Sequence, residues 1–166
     1  MLTEIRVIDG SVVDRLFAVY AESMGDLAED FASPEEMRKS YEGFLREFIR
    51  GPGQRIFVET ERDQWVSALR AIEYRPGVWF IEAVETAPDR RGQGFGKRLL
   101  TRTTERLFHL GAKQIEGIIH PANTASQRLH AACGFAPTDD EPVNCWGETE
   151  TGCALWRYSP KRAGKE

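Results

Sequence analysis

Cysteine is scarce in this 166-residue chain: Cys133, Cys145 and Cys153 are an odd count with no C-x-x-C spacing. That argues against a zinc site or a disulfide framework and favours a reducing compartment. Cys145 and Cys153 could face each other across a hairpin, but read more simply as small half-buried residues. Long apolar runs are missing too. None reaches the roughly 18 residues that span a bilayer, and no basic stretch followed by a short apolar run opens the chain. A soluble, cytoplasmic protein without a membrane partner is expected. Basic charge is not in surplus, with 22 Lys plus Arg against 26 Asp plus Glu and a net of −4. This balance disfavours a nucleic-acid partner and suits a cationic substrate. With 41% hydrophobic and 29% charged residues, disorder and low complexity are not indicated. The length predicts one domain, whose folding would hide about 70% of the extended chain's surface.

Periodicity divides the chain into strands and helices. Ile5 and Val7 share one face of an opening strand within Thr3–Ile8. Ser11 and Asp14 resemble a cap, with Val12, Val13, Leu16, Phe17 and Tyr20 following at helical spacing up to a stop at Gly25. Ser33-Pro34-Glu35-Glu36 is a stronger helix start, leading a stripe of Met37, Tyr41, Phe44, Leu45, Phe48 and Ile49 that Gly51-Pro52-Gly53 closes. Arg55–Glu59, Gln64–Tyr74 and Val78–Thr86 read as antiparallel strands joined by short turns. A glycine-rich segment then enters a helix with Leu99, Leu100, Thr103 and Leu107, ending at Gly111. Ile115–Ile119 is a strand, Asn123–Cys133 a helix, and Val143–Trp146 with Cys153–Tyr158 a final hairpin. The expected fold is therefore α/β with a mixed sheet, in the order strand, two helices, three strands, helix, strand, helix, two strands. A single domain is expected over residues 1–158, with a frayed tail over 159–166.

The densest chemical signal is Arg91-Gly92-Gln93-Gly94-Phe95-Gly96-Lys97, placed between a strand and a helix. Glycines let the backbone approach a ligand, and the helix start offers free N–H groups carrying about half a positive charge. Lys97, Arg90 and Arg91 reinforce this anion site, although glycine turns also serve as plain caps. A Walker loop fails because Arg91 stands where its first glycine belongs and Arg98 replaces its hydroxyl. The dinucleotide fingerprint fails at Lys97, where its third glycine belongs.

What does match is R-x-x-G-x-G, carried by Arg91, Gly94 and Gly96. The segment resembles the acyl-CoA pyrophosphate loop of the GNAT superfamily of N-acetyltransferases. Thr86-Ala87-Pro88-Asp89-Arg90-Arg91-Gly92 is similar to the run closing that family's fourth strand, with Thr for Val. Asn123 through Phe135 follows the family's second block, N-x-x-A-x-x-L-Y-x-x-x-G-F, with Ser126 for Ala and His130 for Tyr. The resemblance implies that strands four and five are parallel but splayed, with acetyl-CoA as cosubstrate and no metal. It also implies pantetheine contacts from the backbone of Val84 and Thr86, a pyrophosphate cradle from Arg91, Gly92, Gln93, Gly94, Phe95, Gly96 and Lys97, and a pantetheine contact from the Asn123 side chain.

Acetyl transfer to an amine needs a neutral nucleophile. A lysine-like amine costs about 4.6 kcal/mol to deprotonate at pH 7, whereas a cysteine-like leaving thiolate needs only about 2 kcal/mol of help. A base therefore matters more than an acid. Glu82, four residues before Thr86, is the candidate base, acting directly or through a water; a solvent-facing strand glutamate is the alternative. Glu85 ranks second, because it faces the other side of the strand unless a bulge resets the alternation. His130 stands where the family carries its acid tyrosine, and is either the thiolate's proton donor or an ordinary helix residue. His120 could line the amine side, and the acids of Glu22–Asp30 and Asp139–Glu141 could attract a cation or merely be solvated. Direct attack in a ternary complex on a small-molecule or peptide amine is expected, with a homodimer allowed for. A non-catalytic acyl-CoA-binding module is the alternative.

Overall fold

The computed structural model describes residues 1–159, so the expected tail lies, apart from Ser159, outside the described residues. The chain runs β1 (Leu2–Ile5), α1 (Gly10–Val19), α2 (Ala21–Leu27), α3 (Pro34–Arg50), β2 (Gln54–Glu61), β3 (Gln64–Arg75) and β4 (Val78–Thr86). It continues through α4 (Phe95–His109), β5 (Gln114–Ile119), α5 (Thr124–Ala132), β6 (Phe135–Pro137) and β7 (Ala154–Tyr158). All seven strands join one mixed sheet in the order β1-β2-β3-β4-β5-β7-β6. Every neighbouring pair is antiparallel except β4 and β5.

The strong start signal acts as expected: Ser33 Oγ accepts from the Glu36 amide at 3.2 Å, and Pro34 occupies the first turn. The weaker one is displaced. Asp9, not Ser11, caps α1, accepting from the Val12 amide at 2.9 Å. The first helix also breaks at Tyr20, and α2 continues through Gly25, so two helices stand where one was expected. β1 ends at Ile5, leaving Val7 exposed and Ile8 buried. The largest correction is β6. Val143 makes only an isolated bridge to Thr149, inside a turn whose backbone is held by Asn144; its Oδ1 accepts from the Trp146 and Glu148 amides at 3.0 Å each. The strand beside β7 is instead Phe135–Pro137, three residues that are too few to show a period.

Strand alternation sends side chains into two cores. Ile56, Val58, Ala68 and Ile72 meet Val13, Leu16 and Val19 of α1 and Leu45 and Phe48 of α3. Phe57, Leu69, Ala71, Trp79 and Ile81 meet Leu99, Leu100 and Leu107 of α4 on the other face. Glu59 is fully buried on this second face, where it takes hydrogen bonds from Arg98 at 3.3 Å and Arg102 at 3.1 Å. These pin α4, which begins at the glycine loop, to β2.

The apolar stripe of α3 is not uniformly internal: Leu45 is 1% exposed and Phe44 43%. Leu45→Ala should cost about 2–5 kcal/mol of unfolding free energy, as for other buried leucines. Phe44→Ala should cost less than half as much in the same denaturant titration.

Candidate active site

β5 accompanies β4 for three residue pairs: Val78, Trp79 and Phe80 lie beside Gln114, Ile115 and Glu116. From Ile81 to Thr86, among the described residues, β4 is paired with β3 alone. Gly117 marks the parting. A Cβ there would lie 3.4 Å from the Ile81 carbonyl oxygen, so its absence lets β5 come close just before the strands diverge. The edge containing Val84 and Thr86 is left free to pair with an extended ligand.

A cavity of about 530 Å³ joins this edge to the start of α4. Val84, Thr86, Arg91, Gly92, Gly94, Phe95, Gly96, Lys97 and Asn123 line it, while Gln93 does not. Gly94 has φ +82° and precedes α4 without a side-chain cap. The first-turn amides therefore remain available to an anion. A Cβ on Gly96 would come 3.1 Å from Thr86 Oγ1, so this glycine seats the helix start against the end of β4. The Asn123 side chain is already a helix cap, with Oδ1 accepting from the Ser126 amide at 3.0 Å. Its NH₂ group remains free of hydrogen bonds among the described residues and can donate to a ligand. An uncapped helix start beside a free strand edge fits an amide-rich arm ending in phosphates.

The register of β3 against β4 places the acids. Arg70 lies opposite Ala83 and Ala71 opposite Ile81, so Glu82 is the extra residue of a β-bulge. The bulge resets the alternation and sends Glu82 and Glu85 to the same side of the sheet. Glu82 accepts from Arg70 Nε at 2.5 Å and from Nη2 at 3.4 Å. The Arg70 guanidinium lies 5.1 Å from the Tyr20 ring and 5.0 Å from the Phe44 ring. Arg70 is the partner that sequence reasoning missed, since cross-strand register is not legible in the chain. The Tyr20 and Tyr41 hydroxyls are buried here without a hydrogen-bond partner among the described residues. Burial raises both phenols, Tyr41 to about 12. Cys145, from the β6–β7 connection, joins this neighbourhood; burial first, then the charges of Glu82 and Glu150, push its thiol up to about 11. Glu85 turns toward α2, accepting from Ser23 Oγ at 2.6 Å and lying 3.6 Å from Arg91, which also pairs with Glu22.

His130 is 3% exposed, with its ring edge-on to Phe135 at 5.2 Å. Its Nδ1 lies 2.8 Å from the Ser126 carbonyl oxygen. A carbonyl only accepts, so Nδ1 carries a proton and Nε2 of the neutral ring carries none. Burial lowers the pKa of His130, partly offset by the Ser126 hydrogen bond. Nε2 faces the strand parting, 4.0 Å from where a Gly117 Cβ would lie. His120 is a surface turn residue whose Nδ1 accepts from the Ala122 amide. Asp140 pairs with Arg157 at 2.9 Å, Glu141 accepts from Thr149, and neither lines the cavity, whereas Glu22 and Asp26 do.

Comparison with known proteins agrees with this geometry. A family model described as "Acetyltransferase (GNAT) family" matches residues 20–135. The chain is 31% identical over 116 residues to an aminoglycoside N(6')-acetyltransferase type 1 from Serratia marcescens, covering 64% of this chain and 77% of that protein. The PaiA N-acetyltransferase of Thermoplasma acidophilum, solved with coenzyme A, superposes with a TM-score of 0.70 at 13% identity over 96% of this chain and 99% of that one. The Campylobacter jejuni N-acetyltransferase PseH, solved with acetyl coenzyme A, gives 0.67 at 11% identity over 98% and 99%. At such identities these two structures speak to the fold.

The loop geometry makes Gly94 the sharpest probe. A β-branched side chain at its left-handed φ costs about 1–2 kcal/mol, but nothing lies within 4 Å of its Cβ position. Gly94→Val should therefore still melt cooperatively, slightly earlier, while calorimetry shows CoA affinity largely lost. Undiminished affinity would reject the cradle. Tyr20→Phe deletes an unpartnered hydroxyl and should leave the melting temperature unchanged or raised; a loss above about 1 kcal/mol would mean that the hydroxyl has a partner.

Proposed function

The chain belongs to the acetyltransferase (GNAT) family, and from that premise we propose that it acetylates a cationic amine by direct attack in a ternary complex with acetyl-CoA. When bound, acetyl-CoA supplies a thioester activated toward nucleophiles. The uncapped amides from Gly94 to Lys97 bind its phosphates, and the backbone of Val84 and Thr86 aligns its arm along the open edge. We read residues 1–158 as one acetyltransferase domain and assign it to the cytoplasm.

The observation that carries the amine reading is the bulge at Glu82. Without it, Glu82 and Glu85 would face opposite sides of the sheet. With it, both lie on the α1–α3 side, where Glu82 meets Arg70 and Glu85 lines the cavity together with the acids Glu22 and Asp26. Glu82 accepts the amine's proton, directly or through a water, while Arg70 holds the carboxylate in place. The aminoglycoside acetyltransferase relative supports a polycationic small molecule as acceptor over a peptide. Glu82→Gln keeps the shape but not the basicity, so kcat/KM at neutral pH should fall by about 10²–10⁴. The loss should shrink as pH rises toward the amine's own pKa. A wild-type rate and pH profile in this variant would remove Glu82 from the mechanism.

His130 is assigned to the sulfur side. It can donate a proton from Nε2 only as the imidazolium, because Nδ1 is committed to Ser126. Burial depresses the pKa, so the imidazolium fraction grows only as pH falls below the ordinary value of about 6.5. The ratio of kcat for wild type to His130→Phe should then rise as pH falls, and His130→Tyr should keep most of the rate at neutral pH. A ratio flat with pH would exclude the donor role. The geometry of His130 also favours a second reading, a non-catalytic acyl-CoA-binding module. Thiol release from acetyl-CoA with a panel of polyamines and aminoglycosides decides between them: turnover supports the enzyme, and tight CoA binding without turnover supports the module.

A further inference from the structure

We infer that Arg91 is a strap across the acyl-CoA groove, tied down by Glu22 and Glu85 in the free protein and handed over to the phosphates when acyl-CoA enters. The inference rests on the reading of the cavity as the acyl-CoA groove. Three contacts define the strap. Arg91 Nη2 pairs with Glu22 of α2 and lies 3.6 Å from Glu85 Oε1 of β4. Its Nε donates to the Thr86 carbonyl oxygen at 3.4 Å. That carbonyl terminates the open edge of β4, so the side chain lies along the end of the backbone an extended ligand must use. Glu22, Glu85 and Arg91 all line the same cavity as Gly94 and Lys97.

The charges explain why the strap is exchangeable. An entering phosphate meets two carboxylates beside an anion-binding helix start, and Arg91 is the cation that neutralises them. Glu85 has a second anchor in Ser23 Oγ at 2.6 Å and stays in place when Arg91 leaves. Glu22 is 54% exposed and Arg91 45%, so the tie that must break is solvated and weak. A phosphate offers the same guanidinium a stronger, charge-assisted pair. Glu22 therefore acts on acyl-CoA through Arg91, as a positioning residue.

The test is a double-mutant cycle on CoA affinity, read by calorimetry on the full chain with no acceptor present. Glu22→Gln releases one tie and should tighten CoA binding about two- to fivefold, the range of an exposed ion pair. In an Arg91→Met background the same substitution should change affinity less than about twofold. No tightening with Arg91 present would overturn the strap. Equal tightening with methionine at that position would also overturn it, since it would mean that Glu22 merely repels the phosphates. Failure of the unsubstituted protein to bind CoA would overturn the groove reading itself, and the strap with it. Thermal melts of all four proteins confirm that the comparison is between folded states.

Discussion

The site depends on an edge in the middle of a sheet. Backbone N–H and C=O groups that are left unpaired are costly to bury, and strands normally satisfy them with neighbours. Here β4 loses its β5 neighbour after Phe80 while the sheet continues on both sides. The opening survives because other elements hold the two halves in register. α4 packs across β2, β3 and β4 and also touches α5. Its tie to β2 is the fully buried Glu59, which receives Arg98 and Arg102. The helix whose first turn faces the cavity is thus braced against β2, which keeps its uncapped start beside the open edge of β4.

One groove has to manage charges of both signs. Arg91 and Lys97 suit phosphates, whereas Glu22, Asp26 and Glu85 suit a cation, and all line a single cavity. At the few-ångström separations found here, screening by salt does little. Segregation does more: Glu82 and Glu85 project to the α1–α3 side, while the glycine loop presents main-chain amides along the axis of α4. Pairing of Arg91 with Glu22 and Glu85 cancels the remaining conflict when no ligand is bound.

What the sequence revealed and what it hid follow from the range of the interactions involved. Local chemistry was legible. Ser33-Pro34 starts α3, and Gly94 and Gly96 shape the loop, whereas Asn123, read as a ligand contact at the start of a helix, also caps α5. Features set by pairing between distant segments were not. The bulge at Glu82 depends on the register of β4 against β3 and leaves no mark in residues 78–86 themselves. Arg70 reads as an ordinary strand arginine until Glu82, Tyr20 and Phe44 are brought around it. β6 escaped because three residues carry no period, and the longer Val143–Trp146 competed for the assignment. Asn144 decided that competition by holding a turn with its side chain, a tertiary outcome that strand propensity could not foresee.

The Arg70–Glu82 pair is hard to account for by stability alone. Removing two charges from water costs more than a single contact returns, so a buried pair is a poor source of stability. Arg70 is 13% exposed and Glu82 18%, with the Tyr20 and Phe44 rings near the guanidinium and two tyrosine hydroxyls close by that have no partner among the described residues. A site selected only for stability would fill this space with apolar side chains like those a few residues away at Ile56, Val58 and Ile72. What the pair provides is orientation. A guanidinium contacting both carboxylate oxygens fixes the plane of Glu82, and the nearby Tyr20 and Phe44 rings help to fix the guanidinium. In the reaction proposed above, a proton acceptor must be held in place before its substrate arrives, and rigid supporting contacts do this at the expense of stability elsewhere.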